Sequence, residues 1–129
     1  MNHPSDLRYT ATHEWVRLER DGVACVGITQ FAQDHLGELV YVELPEAGRA
    51  LAQGEACAVV ESTKAASDVY APVAGLVVEA NAQLSTAPQT VNESPFDAGW
   101  LFKIKLSDAS QVDALMDAAA YDAAVAAQG

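Results

Sequence analysis

The sequence predicts a mainly β domain, a sandwich or small barrel, with one short helix in its N-terminal half and helices at its C-terminal end. Three observations lead there. Short runs rich in Val, Ile, Leu and Tyr recur with turn residues about every eight to twelve positions. Asp21-Gly22 stands between two apolar runs, and an Asp-Gly loop supplies the positive φ that a tight hairpin needs. Half of the 129 residues are apolar, enough for one core, and no repeat or low-complexity linker divides the chain. One domain over 1–129 follows, with a β core over about 8–106 and a helical tail over about 107–127.

The first strand lies in Tyr9–Leu18, where Trp15 to Glu19 alternates weakly. Arg20-Asp21-Gly22 turns the chain, and Val23 to Ile28 returns. Thr29 can cap a helix that carries Phe31, Ala32 and Leu36 on one side, and Gly37 can end it in a left-handed conformation. Glu38 to Leu44 alternates cleanly and predicts a half-buried strand. Turns at Pro45–Gly48 and Gln53-Gly54 lead to a strand from Ala56 to Val60. A polar break follows, then a strand from Ala66 to Tyr70, a turn at Pro72–Gly75 and a strand from Leu76 to Ala80. Ser85 to Gly99, with Pro88 and Pro95, is the least regular stretch. Trp100 to Leu106 is the last strand. Ser107-Asp108 starts a helix on which Val112, Leu115 and Met116 recur, and the alanine-rich run Ala118–Ala127 predicts a second helix on the sheet edge.

Charge and cysteine usage exclude several functions. Eighteen acidic residues against seven basic ones leave a net charge of −11. A phosphate backbone is repelled, so no nucleic-acid partner is expected, whereas basic protein surfaces are attracted. No apolar run is long enough to span a membrane. Met1 to Asp6 has neither the form of a secretory signal nor that of an Arg-rich transit peptide, so a bacterial cytoplasm is expected rather than an organelle matrix. Cys25 and Cys57 each lie in an apolar run without a CxxC, which predicts two buried thiols and no metal site, a disulfide being the alternative.

Independent catalysis has little to stand on. His3, His13 and His35 are scattered, and no GxSxG, HExxH or phosphate-binding glycine loop occurs. Lys64 differs by its context. It stands in the polar break between two strands, among Ser62, Thr63, Ala65 and Ala66. Small neighbours leave room for an enzyme to close over the ammonium group, and a hairpin tip presents it without unfolding. That placement suits a lysine that is acylated and used as a long arm between partners. A salt bridge from Lys64 to Glu61 or Asp68 is the plainer reading, and at an exposed turn it contributes little.

Glu61-Ser62-Thr63-Lys64-Ala65-Ala66-Ser67-Asp68 resembles the lipoyl-lysine motif of the glycine cleavage H-protein family. Thr12-His13-Glu14-Trp15, Gly27-Ile28-Thr29, Leu36-Gly37, Val42–Pro45, Val91-Asn92-Glu93 and Gly99-Trp100 are similar to further family motifs in the same order. The resemblance implies a barrel-sandwich hybrid of two sheets with flanking helices, and lipoic acid in amide linkage on Lys64. It implies a non-catalytic shuttle that takes the aminomethyl group of glycine from a pyridoxal-phosphate glycine decarboxylase to a tetrahydrofolate-dependent aminomethyltransferase. A flavin-dependent dihydrolipoamide dehydrogenase then reoxidises the arm, and a lipoate-attaching enzyme loads the lysine. A monomer is the simplest form for such a shuttle. The resemblance further implies a cleft for the loaded arm, with matching positions at Thr12, Glu14 and Asp68, and His35 as a further member. Otherwise these are a strand-edge hydroxyl, two surface carboxylates and a helix-end histidine. Thr63, Thr12 and Thr90 depart from the commoner valine, serine and apolar residue, which bears on the arm at Thr12 and on loop packing at Thr90. A lipoyl carrier or lipoyl-relay donor for 2-oxoacid dehydrogenases is the alternative. A biotin carrier fits less well, since Met1 and Met116 are both far from Lys64 in sequence.

Overall fold

The computed structural model describes residues 6–108 and 110–128. Most of the segment weighed as a targeting signal, with His3, lies outside the described residues. Among the described residues nine strands form two antiparallel sheets. The larger contains β1 (Arg8–Tyr9), β2 (Glu14–Leu18), β3 (Val23–Ile28), β5 (Ala50–Leu51), β8 (Gly75–Ala80) and β9 (Phe102–Leu106), in the spatial order β1-β2-β3-β9-β8-β5. The smaller contains β4 (Leu39–Glu43), β6 (Ala56–Ser62) and β7 (Ala66–Tyr70), in the order β4-β6-β7. Helix α1 (Gln30–Leu36) links β3 to β4, α2 (Thr90–Glu93) lies in the long loop, and α3 (Ser110–Asp113) and α4 (Ala118–Gln128) follow the last strand. This is the mainly β architecture of two sheets with flanking helices that the sequence predicts. No helix among the described residues is long and apolar enough to cross a membrane.

Alternation divides the core in two. Val16, Val26, Ile104 and Val77 point inward from the large sheet toward Leu39, Val42, Val60 and Val69 of the small one, forming the main core. Trp15 and Cys25, on the opposite face of β2 and β3, pack with Leu7, Tyr9 and Tyr121 in a second cluster. Helix α4 therefore packs over the outer face of the large sheet rather than on its edge alone. The edge itself is met by Met116, which exchanges main-chain hydrogen bonds with Tyr9 of β1 at 2.8 and 3.0 Å.

Local chemistry explains the turns. Asp21 (φ 60°) and Gly22 (φ 73°) both take left-handed backbone between β2 and β3. Thr29 caps α1 by accepting from the Ala32 N–H at 3.3 Å, and the Gly37 N–H closes the helix on the Gln33 carbonyl at 2.9 Å. The clean alternation expected of β4 fails at one point. A bulge between Leu39 and Tyr41 puts Val40 and Tyr41 both in solvent, while Leu39 and Val42 stay buried. The last strand begins at Phe102, later than expected. In the long loop Val91, next to Thr90, is fully buried, and Asn92 accepts from the Leu39 N–H and donates to Gln33 Oε1 and the Gly37 carbonyl. The loop is thereby tied to the end of α1. Cys25 and Cys57 are buried and free.

Candidate functional site

Strands β6 and β7 pair from Ala56–Tyr70 to Glu61–Ala66 and leave Lys64 at the hairpin tip. Ser62 closes the turn. Its N–H donates to the Ala65 carbonyl at 2.8 Å, and its hydroxyl oxygen accepts from the N–H groups of Lys64 and Ala65 at 3.3 and 3.1 Å. The main chain and hydroxyl of Ser62 thus close the turn around Thr63 and Lys64, whose side chains are exposed. Among the described residues Lys64 has no ion-pair partner, so neither Glu61 nor Asp68 neutralises it. Its stem lies over the end of α1, where Gly37 leaves room for it.

Beyond that point lies a trough made of two cavities that meet at Thr12, neither of them lined by Lys64 itself. A cavity of about 300 Å³ is lined by Thr12, Phe31, His35, Leu36 and Ser67. A larger, mostly apolar cleft of about 640 Å³ is lined by Thr12, Glu14, Tyr70, Pro72 and Met116. Thr12 borders both. The path thus runs from the end of α1, past His35 and Ser67, over Thr12 to Glu14. Along β7 the distance from Ala66 to Tyr70 is about 13 Å of extended strand, within reach of a long acylated lysine.

Glu14 shares the inward face of β2 with Val16 and is 1% exposed. Its Oε1 accepts from the hydroxyls of Thr10 and Thr12 at 2.6 and 2.5 Å, and its Oε2 accepts from the Tyr70 N–H at 3.3 Å. These are neutral donors. Burial pushes the carboxyl above the usual carboxylate range, and the three donors pull it back in part. An acid so placed favours a cation that brings its own charge into the cleft.

The structure brings Thr12, Glu14 and His35 to one trough and leaves the Asp68 side chain out of it. Asp68 instead lines a separate groove of about 750 Å³, with Glu43, Arg49 and Val59. Strand geometry explains the separation. Val69 points into the core, so Ser67, two residues earlier, faces the trough and Asp68 faces away. The Tyr70 N–H points off the free edge of β7 to reach Glu14, so the Asp68 main chain two residues earlier points off the same edge. Its backbone, not its carboxylate, is the part of Asp68 turned to that side. Ser67 was legible from the period of two once Val69 was placed inside. Phe31 and the Tyr70 N–H left no signal in the sequence beyond their place in the elements.

Three comparisons bear on this arrangement. The family model described as glycine cleavage H-protein matches residues 7–128. The glycine cleavage system H protein of Laribacter hongkongensis is 58% identical over 121 residues, spanning 94% of this chain and 95% of its own. That of Escherichia coli O7:K1 is 53% identical over 122 residues, spanning 95% of each. A crystal structure of a glycine cleavage system H protein from Mycobacterium marinum superposes with a TM-score of 0.89 at 40% identity, over 96% of this chain and 99% of that one.

Proposed function

The chain belongs to the glycine cleavage H-protein family, and on that premise we propose that Lys64 is its lipoyl attachment site and that the trough from Lys64 to Glu14 shelters the loaded arm. The protein is the lipoyl carrier of the glycine cleavage system, and the reading as a carrier for 2-oxoacid dehydrogenases gives way to it. Bound to Lys64 as an amide, the lipoyl group supplies the dithiolane that takes up the aminomethyl group of glycine and is afterwards reoxidised.

The chain's own residues do the rest. The Ser62-closed turn presents Lys64 to a lipoate-attaching enzyme and then to three partners: the pyridoxal-phosphate decarboxylase, the tetrahydrofolate-dependent aminomethyltransferase and the flavin dehydrogenase. The protein is their shared substrate and not a catalyst, and acts as a single-domain monomer because every partner must reach the same hairpin. Between visits the trough excludes water from the cargo, which otherwise hydrolyses to thiol, formaldehyde and ammonium. Thr12 and Glu14 receive the cationic amine, His35 and Ser67 flank the arm, and Asp68 offers its main chain at the edge of β7.

The observation that carries this reading is an exposed lysine on a hairpin tip near a trough that ends in the buried Glu14 carboxyl, neither with an ion-pair partner among the described residues. Intact mass after incubation with lipoic acid and an active ligase tests it. One lipoyl adduct on the wild type and none on Lys64→Arg is expected. An unmodified wild type under those conditions removes the assignment.

A further inference from the structure

The two walls of the trough are joined from behind by one hydroxyl. The Tyr121 oxygen lies 2.7 Å from His13 Nδ1 and 2.7 Å from Thr29 Oγ1. Tyr121 comes from α4, on the outer face of the large sheet, and both it and Thr29 are fully buried. Thr29 caps α1, which carries Phe31 and His35 of one wall. His13 sits between Thr12 and Glu14, which form the other.

His13 is the unusual member. It has a φ of 73°, in the left-handed region that a residue with a Cβ seldom takes. Its N–H donates to the Thr10 carbonyl at 3.1 Å and its carbonyl accepts from the Thr29 N–H at 3.0 Å. Its ring packs on Phe31 with centroids 4.5 Å apart, and Phe31 packs on His35 at 4.2 Å. That backbone conformation costs free energy, and the ring contacts on both sides hold it in place. The neighbouring Thr12 hydroxyl donates to Glu14 Oε1. Burial pushes the Tyr121 phenol up to about 12, so the hydroxyl keeps its proton at neutral pH.

We propose that Tyr121 is a positioning residue for the loaded arm: its hydroxyl ties His13 to Thr29 and so fixes the spacing of the trough walls and the aim of Thr12 at Glu14. The C-terminal helix thereby takes part in protecting cargo on which it has no direct hold. This rests on the reading of the trough as the arm's shelter.

Tyr121→Phe keeps the ring packing and removes the hydroxyl. The lipoylated protein, loaded with the aminomethyl group, is followed by ammonia release. Val125→Ala, which loosens α4 in the same cluster without touching a hydrogen bond, is the control. Tyr121→Phe is expected to release ammonia about two- to tenfold faster, the ratio one net hydrogen bond supports, and Val125→Ala to match the wild type. The ¹⁵N shifts of the His13 ring, read without any arm attached, are expected to move in Tyr121→Phe and to stay in Val125→Ala. Equal release from Tyr121→Phe and the wild type overturns the proposal, as does equal acceleration by both variants. If Glu14→Ala speeds release and Tyr121→Phe does not, the strut alone fails. If the wild type releases ammonia as fast as a free aminomethyl dihydrolipoamide, the shelter reading fails first and the proposal with it.

Discussion

The Lys64 stem rests against Gly37: a Cβ built on Gly37 would stand 3.4 Å from Lys64 Cε. That is ordinary van der Waals contact, so crowding is not what requires glycine there. The backbone is. Gly37 has φ 87° and ψ −164°, a region closed to residues with a Cβ. Gly37→Ala is therefore expected to destabilise the fold by about 1–3 kcal/mol while leaving room for Lys64 and its adduct. Urea unfolding checks the first expectation and intact mass after lipoylation the second.

Burial makes the charged form of Glu14 a cost to stability near neutral pH. Its folded carboxyl is raised by burial, so the native state holds the proton more tightly than the unfolded chain. Stability from this group is greatest at acid pH. It declines as pH rises from the usual carboxylate range through the raised folded value, and remains a constant cost above it. Glu14→Gln removes that cost. The variant is expected to melt higher than the wild type near neutral pH, with the gap closing as the medium is acidified below the usual carboxylate range. Its loaded arm is expected to release ammonia faster, because a neutral amide no longer attracts the cationic amine. A gap that stayed constant with pH would remove the titration of Glu14 as its cause.

Gly27 is required by a close approach. A Cβ there would stand 2.5 Å from Cε2 and Cζ2 of Trp15. Trp15 cannot yield easily, since it is fully buried and its Nε1 donates to the Pro95 carbonyl at 2.8 Å. Gly27→Ala is expected to cost about 1–3 kcal/mol through overpacking and to change the environment of the indole. Denaturant unfolding gives the first and tryptophan fluorescence the second.

The thiols are expected to be silent. Burial pushes Cys25 up to about 11 and Cys57 up to about 12. The thiolate fractions near pH 8 are then about a thousandth and a ten-thousandth. Alkylation of the native protein with iodoacetamide is expected to be slow at both, and to go to two adducts once urea opens the fold. Rapid native labelling of either would contradict its burial.

The elements were legible because their signals are local. Asp21-Gly22, the Thr29 cap, Gly37 and the small residues around Lys64 each act through backbone geometry within a few residues. The β4 bulge was not legible, since Glu38 to Leu44 alternates in hydropathy whether or not one residue is extra. The trough was legible in part. Thr12, Glu14 and Lys64 came with their motifs, but the choice of Ser67 over the Asp68 side chain did not. It depends on which face of β7 meets the core, and a shift of one residue reverses every side chain.

The sequence alone determined a mainly β carrier with its lysine on a hairpin tip, because period, turn chemistry and small neighbours are written in adjacent residues. Only the tertiary structure decided what surrounds that hairpin. Glu14 lies 56 residues from the Tyr70 N–H it accepts from, and Tyr121 lies 108 residues from His13. Bonds across such separations exist only once the two sheets and the C-terminal helix have packed. The burial that raises Glu14, and the hydroxyl that ties the trough walls together, are properties of that packing.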